Sequence, residues 1–146
     1  MSGLPGDQDI VDFELKIGDP MTVVFANTIG LYSFNSTDAV TLYENEDKHV
    51  WGFVQLNRTH ILIGFSKCVE LLDTLTSAVK PIAGPLYCNE SSTLDGVGSE
   101  ATFWAISDIH QDIKDPNQFF IIDVSKNLRM LALDTANVTT VAVLDP

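Results

Sequence analysis

The sequence of 146 residues predicts an all-β protein made of β-propeller blades of four antiparallel strands, with about three blades, or half of a six-bladed ring. Three observations support this fold class. Short runs rich in Val, Ile and Phe recur about every 8–12 residues and are bounded by turn residues. No segment has the period of a long amphipathic helix. A pattern of four strands recurs along the chain, which is typical of propellers.

The first blade is predicted at residues 10–47, after an N-terminal tail at 1–9. Val11, Phe13 and Leu15 alternate with charged residues, and this period of two indicates a half-buried strand. A turn is expected next, and three further apolar runs follow it. This copy matches the later ones only in the order of its strands, which are predicted at 11–17, 21–26, 29–34 and 39–43.

The second and third blades share an internal repeat. Blade 2 is predicted at 48–88 and blade 3 at 102–146, with an inter-blade loop at 89–101. In both copies an apolar strand leads into a Ser-Lys turn and a second strand that ends near an Asp. An aromatic-led strand precedes each pair and a strand rich in Thr or Val follows it. The predicted strands are 50–56, 61–65, 68–72 and 78–83 in blade 2, and 103–109, 119–124, 128–133 and 138–143 in blade 3.

Residues 95–103 have the pattern Asp-Gly-x-Gly-x-x-Ala-x-Phe. This pattern and the strands after it resemble the NHL-repeat β-propeller family, in its extracellular form, where the pattern marks the inter-blade loop. The strand pair that follows carries the family's Asp, Asn and Arg markers. In blade 2 the sequence places Gly64 and Cys68 at two of the marker positions, so their turn hydrogen bond is not expected there. The resemblance implies blade-structural roles for Asp95, Gly96, Gly98, Phe103, Asp123, Asn127 and Arg129.

Cys68 and Cys88 are not spaced as a CxxC pair, so they are either free buried thiols or one disulfide. In a four-stranded antiparallel blade, the turn between the second and third strands and the exit loop lie at the same end. Cys68 lies at that turn and Cys88 lies in the exit loop of the same blade. We therefore predict a disulfide between them. The same end carries Asn89 and the Asp95 loop, and we expect it to be the functional face.

Four N-x-S/T sequons fall at predicted turns or strand edges, and we predict glycosylation at Asn35, Asn57, Asn89 and Asn137. Together with a disulfide, they indicate a secreted protein or the extracellular domain of a cell-surface protein. The 8 basic and 20 acidic side chains give a net charge of −12, which argues against a nucleic-acid partner. No apolar run is long enough for membrane insertion.

These features favour a binding module over an enzyme. We find no catalytic motif, and His49, His60 and His110 lack the spacing of metal ligands, so no cofactor, metal or catalytic residue is predicted. The predicted function is to bind a protein, which the acidic charge suggests is basic, or a glycan. A metal-dependent propeller lyase or hydrolase is the alternative. Because three blades do not close a ring, we expect a homo-oligomer such as a homodimer, or further blades in a longer chain.

Two further groups of residues have more than one interpretation. We expect Trp51 and Trp104, which the alignment places at equivalent positions, to pack between blades, and stacking on a ligand is the alternative. Asp108, Asp112 and Asp115 are expected to lie in a solvated loop, with weak calcium binding as the alternative.

Overall fold

The computed structural model describes residues 10–16, 22–27, 29–34, 37–125 and 127–144. Asn35, one of the predicted glycosylation sites, and the predicted tail at 1–9 lie outside these residues. Within them, no helix is long and apolar enough to cross a membrane. The described strands are β1 (Ile10–Lys16), β2 (Thr22–Asn27), β3 (Gly30–Phe34), β4 (Ala39–Glu44), β5 (Val50–Gln55), β6 (His60–Phe65), β7 (Val69–Asp73), β8 (Val79–Ala83), β9 (Gly96–Val97), β10 (Ile106–Gln111), β11 (Gln118–Asp123), β12 (Asn127–Ala132) and β13 (Asn137–Val143).

The strands form three antiparallel sheets, which confirms the all-β prediction. Sheet 1 has the order β1-β2-β3-β4 and sheet 2 the order β5-β6-β7-β8. Sheet 3 has the order β10-β11-β12-β13-β9. Its fifth strand, β9, comes from the predicted inter-blade loop and pairs with β13 through Gly96 and Val97. A 3-10 turn at Gly98–Glu100 follows this short strand.

The three sheets share two shifts of strand register. One lies between the first and second strands of each sheet, and the other lies between the third and fourth strands. A bulge bends a strand and strengthens its twist, so bulges at matching places indicate copies of one structural unit. The first strand of each sheet shifts against the second strand just after the pairs Ile10–Asn27, Val50–Phe65 and Ile106–Asp123.

This register corrects the alignment of the second and third copies by one residue. Asp123 corresponds to Phe65 and not to Gly64, because the β6–β7 turn is one residue shorter than the β11–β12 turn. Trp104 precedes β10, so the residue that matches Trp51 is Ser107 and the predicted equivalence of the two tryptophans is wrong. Strand β10 begins later than predicted because the Asp123 carboxylate binds the backbone before it.

Sheet 2 lies at the centre of the described structure and packs against one of the other two sheets on each face. All residues of β6 from 61 to 65 are buried, as expected of a strand covered on two sides. Strand β5 lies beside both β1 and β10, so the first strands of the three sheets are neighbours. One core joins sheet 2 to sheet 1 and includes Phe53, Ile63 and Leu31. The other joins sheet 2 to sheet 3 and includes Leu62 and Phe119.

Candidate functional site

The third strand of each sheet buries one polar residue just after its register shift. These residues are Tyr32, Glu70 and Arg129, which are 1%, 4% and 0% exposed. The Tyr32 hydroxyl donates to Glu44 Oε1 at 2.7 Å, and Lys48 Nζ donates to Glu70 Oε1 at 2.5 Å. A buried polar group must be hydrogen-bonded to be tolerated. The equivalent position in the three sheets therefore holds a hydroxyl, a carboxylate or a guanidinium group, and each group has its own partner.

In sheet 3 three marker residues of the NHL resemblance, Asp95, Phe103 and Asp123, contact Arg129. Its Nη1 donates to the carbonyl of Thr102 at 3.0 Å and its Nη2 to the carbonyl of Leu94 at 2.7 Å. The guanidinium carbon lies 5.1 Å from the centroid of the Phe103 ring. Within the described part of the chain, Nε of Arg129 has no hydrogen-bond partner. Arg129 thus fixes the segment before β10 to the centre of sheet 3.

Asp95 links this segment to the outer strand β13. Its Oδ1 accepts from Arg129 Nη2 at 3.0 Å, and its two oxygens accept from the hydroxyl and the backbone N–H of Thr140 at 2.8 and 3.0 Å. Partial burial alone raises the pKa of Asp95. The hydrogen bonds from Thr140 and the positive charge of Arg129 outweigh this effect and hold the pKa below its ordinary value.

Asp123 is fully buried and also holds the segment before β10 in place. Its carboxylate accepts the backbone N–H groups of Trp104 at 3.0 Å, Ala105 at 3.1 Å and Ser125 at 3.2 Å. The nearest guanidinium nitrogen of Arg129 is 3.6 Å away. Asn127 donates to the Ser125 hydroxyl at 3.0 Å in the same turn. These contacts hold the segment before β10 and the β11–β12 turn to the centre of sheet 3.

Gly96 and Gly98 are both required by the loop geometry, for different reasons. Gly98 has a φ of +58°, in the left-handed region that favours glycine. A side chain on Gly96 would meet the backbone carbon of Glu100 at 2.9 Å. The turn is therefore shaped by close approach at one glycine and by backbone conformation at the other.

Cys68 and Cys88 form a disulfide with their Cα atoms 5.2 Å apart. Cys68 closes the β6–β7 turn, and Cys88 ends a turn in which its N–H donates to the carbonyl of Pro85 at 2.9 Å. Gly84 opens that turn at a φ of +102°, and a Cβ there would lie 2.6 Å from the carbonyl oxygen of Lys67. The disulfide and this close approach hold the exit loop of sheet 2 against the β6–β7 turn.

A cleft of about 210 Å³ opens beside the disulfide. It is formed by the loop before β5, the start of β5, the β6–β7 turn and the exit loop. Strand direction alternates in the sheet, so these segments all lie at one end. This is the end that the cysteine positions predict to be functional. The lining residues are Asp47, Lys48, His49, Trp51, Phe65, Ser66, Lys67, Tyr87 and Cys88.

Two aromatic side chains are exposed at this cleft. Trp51 lies at the register shift of β5 and is 37% exposed, and Tyr87 lies in the exit-loop turn and is 80% exposed. Bulges commonly re-aim a side chain next to a site. The ring of His49 lies edge-on to Trp51, with centroids 6.5 Å apart. The predicted packing of Trp51 between blades is therefore incomplete, because part of its ring faces the cleft.

The two lysines of the cleft have different surroundings. Lys48 pairs with the buried carboxylate of Glu70, and its Nζ lies 5.4 Å from the Phe65 ring centroid. Lys67 is half-buried in the β6–β7 turn, and none of the ion pairs found among the described residues includes it. Asp47 is exposed on the loop before β5.

The structure does not bring the three histidines together. His60 lies in a hairpin turn where its N–H and that of Thr59 donate to Asn57 Oδ1, each at 2.9 Å. His110 contacts Asp108 on β10 at 2.9 Å. Of the described His, Cys, Asp and Glu residues, one group has the spacing of a metal site. That group consists of the two disulfide sulfurs and the lysine-paired Glu70, so its donors are already engaged.

Of the three acidic residues predicted in a solvated loop, Asp108 lies within β10 instead, and Asp112 and Asp115 cap turns after that strand. Asp112 Oδ1 accepts the N–H of Lys114 at 2.9 Å, and Asp115 Oδ1 accepts the N–H of Asn117 at 3.0 Å. Each carboxylate therefore serves its own turn, which is the usual role of Asp in loops.

Three predicted glycosylation sites fall within the described residues. Asn57 is exposed at the β5–β6 turn, at the end of sheet 2 opposite the cleft, and Asn137 is half-buried at the start of β13. Asn89 is exposed immediately after Cys88, at the cleft end.

The comparisons with known proteins bear on the fold. No protein-family model matches the sequence, and no curated protein matches it. The chain is similar to a solved structure, an auxiliary nutrient binding protein from Bacteroides thetaiotaomicron, with a TM-score of 0.60 and 17% identity. The similarity covers 82% of this chain and 33% of that protein, so the chain spans about a third of its length. At this identity the likeness shows a shared fold.

Proposed function

We propose that the chain is an extracellular ligand-binding module built on NHL-type β-propeller blades, which takes a protein or glycan ligand in the cleft beside the Cys68–Cys88 disulfide. The observation that carries this proposal is the exposure of Trp51 and Tyr87 on a cleft whose walls are fixed by that disulfide. Rigid scaffolds that present such side chains on loops suit recognition.

The propeller arrangement is supported by the three sheets, each an antiparallel meander, whose first strands are neighbours. Packing of sheet against sheet on both faces of sheet 2 is the contact expected between blades. Three blades do not close a ring. A second copy of the chain, forming a homodimer, or further blades of a longer chain would complete it. Native mass spectrometry tests the first of these: a mass near 32 kDa supports it, and a stable species at the 16.0 kDa chain mass argues against it.

The extracellular assignment is supported by two features. A disulfide persists in oxidising compartments. The sequons at Asn57 and Asn89 are exposed, so both asparagines are accessible for glycan attachment. The solved structure with the same fold is of a nutrient binding protein, and a binding role for this chain agrees with it.

The experiment is a screen of the folded chain on a glycan array and a peptide array, followed by calorimetric titration of each hit, which does not depend on the tryptophans as reporters. A well-packed aromatic residue at the centre of a binding site contributes about 2 kcal/mol, or roughly 30-fold in affinity. We expect Trp51→Ala and Tyr87→Ala each to cause a loss of that order. Trp104→Ala is the matched control, because Trp104 is 53% exposed and lies outside the cleft. Equal effects of the two tryptophan substitutions, or the absence of any hit, would refute the proposal.

A further inference from the structure

We infer that the cleft binds an oligosaccharide that carries a carboxylate, a uronic-acid oligosaccharide. This inference rests on the proposed binding function and specifies its ligand class. It follows from the size of the cleft, the aromatic side chains on its walls and the distribution of charge within it.

The size of the cleft favours a small cyclic group over the surface of a folded protein. A stable protein–protein interface buries about 800 Å² on each partner. A cleft of about 210 Å³ is below the usual range for drug-sized ligands, so it holds one or two rings. A sugar ring fits this volume and presents an apolar face of C–H groups together with hydroxyls at its edge.

The cleft walls match these two aspects of a sugar. Trp51 and Tyr87 offer partly exposed aromatic surfaces that can cover the apolar face of a ring. Ser66 and His49 place a hydroxyl and an imidazole among the lining groups, and both can hydrogen-bond to sugar hydroxyls. The combination of apolar walls and a few polar groups is the usual composition of a small-ligand site.

The charges in the cleft specify an anion. The chain has a net charge of −12, so an anionic ligand needs a local positive group to bind. Lys48 is compensated by Glu70, which leaves Lys67 as the cleft lysine outside the ion pairs of the described structure. Asp47 also lines the cleft, but it is exposed on the loop before β5, whereas Lys67 is half-buried in the β6–β7 turn. The less hydrated of these two charges is therefore the positive one, which favours an anion over a basic peptide side chain.

The test is calorimetric titration of the full chain with trisaccharides of galacturonic, glucuronic and mannuronic acid and with their methyl esters. The esters keep the ring and remove the charge. We expect at least one acid to bind about tenfold more tightly than its ester, because a hydrogen bond to a charged group is lost in the ester. Lys67→Gln should reduce the affinity of the acid to that of the ester. Lys80→Gln is the control, since Lys80 is exposed on β8 and does not line the cleft.

The outcomes separate this inference from the proposed function. Equal binding of acid and ester, or no effect of Lys67→Gln, refutes the inference. In that case a loss of binding in Trp51→Ala still supports a ligand site in the cleft. Absence of binding by all three acids also refutes the inference, and the array screen then decides the proposed function independently. Binding that is unchanged in Trp51→Ala refutes both.

Discussion

Replacement of Arg129 by Met should destabilise the protein by about 3 kcal/mol. Removing one partner of a buried ion pair costs about 3–5 kcal/mol, because the other charge stays buried. The lower value applies here, since Asp123 keeps its three backbone N–H donors and Asp95 keeps those of Thr140. The carbonyls that lose a donor are those of Leu94 and Thr102. Met fills most of the apolar volume, so a cavity adds little.

Urea unfolding followed by tryptophan fluorescence measures this effect, and the midpoint should fall without a change in slope. Thermal unfolding should shift by about 10 °C for this chain length. Arg129→Lys keeps the charge but cannot reach both carbonyls and the carboxylate, so we expect a smaller loss. If Arg129→Met does not fold, the same urea unfolding measurement on Arg129→Lys and Asp95→Asn tests the contribution of the network. Unfolding free energies of Arg129→Met and Arg129→Lys within about 0.5 kcal/mol of the parent would show that the network is not stabilising.

Three further predictions concern titration and the disulfide. Because the pKa of Asp95 is depressed below 3.8, its contribution to stability is present above that pH and is lost as the pH falls through the lower folded value. In acid unfolding, Asp95→Asn should therefore lose less stability than the parent as the pH falls through this value. Burial, reinforced by the hydrogen bond to Glu44, raises the pKa of Tyr32 to about 12. Its stabilisation is complete below pH 10 and is lost as the pH rises through about 12. Burial also raises the pKa of Tyr43, so ultraviolet titration should show late-ionising tyrosines, and Tyr32→Phe should remove the contribution near pH 12. Reduction of the Cys68–Cys88 disulfide, which closes a segment of 20 residues, should cost about 3 kcal/mol in urea unfolding, and unchanged stability after reduction would contradict it.

Local pattern was sufficient to predict most strands. The run at 61–65 corresponds to β6, because a strand buried on both faces is apolar at every position. The predicted strand at 103–109 begins three residues too early for a reason that local sequence does not carry. Asp123 is distant in sequence from Trp104 and Ala105. Its carboxylate accepts their backbone N–H groups, so these groups do not pair with a neighbouring strand. Only the assembled sheet brings these groups together.

The cleft was harder to predict than the disulfide beside it. Alternating strand direction alone places Cys68 and Cys88 at one end of sheet 2. The exposure of Trp51 depends on the register shift of β5, which the alignment of apolar residues does not reveal. The position of Tyr87 beside Cys88 could have predicted an exposed aromatic residue, because a turn held by a disulfide presents its side chains to solvent.

One position of the repeat shows how sheets with a common framework differ in their polar contacts. In sheet 3 this position holds Arg129, and its hydrogen-bond partners all belong to the segment before β10. In sheet 2 it holds Glu70, whose carboxylate takes Lys48 from the loop before β5 as its partner. The reversal of charge therefore replaces a network that fixes the segment before β10 with an ion pair that holds Lys48, a residue of the cleft wall. In our inference, the compensated Lys48 leaves Lys67 as the lysine that pairs with the carboxylate of the ligand.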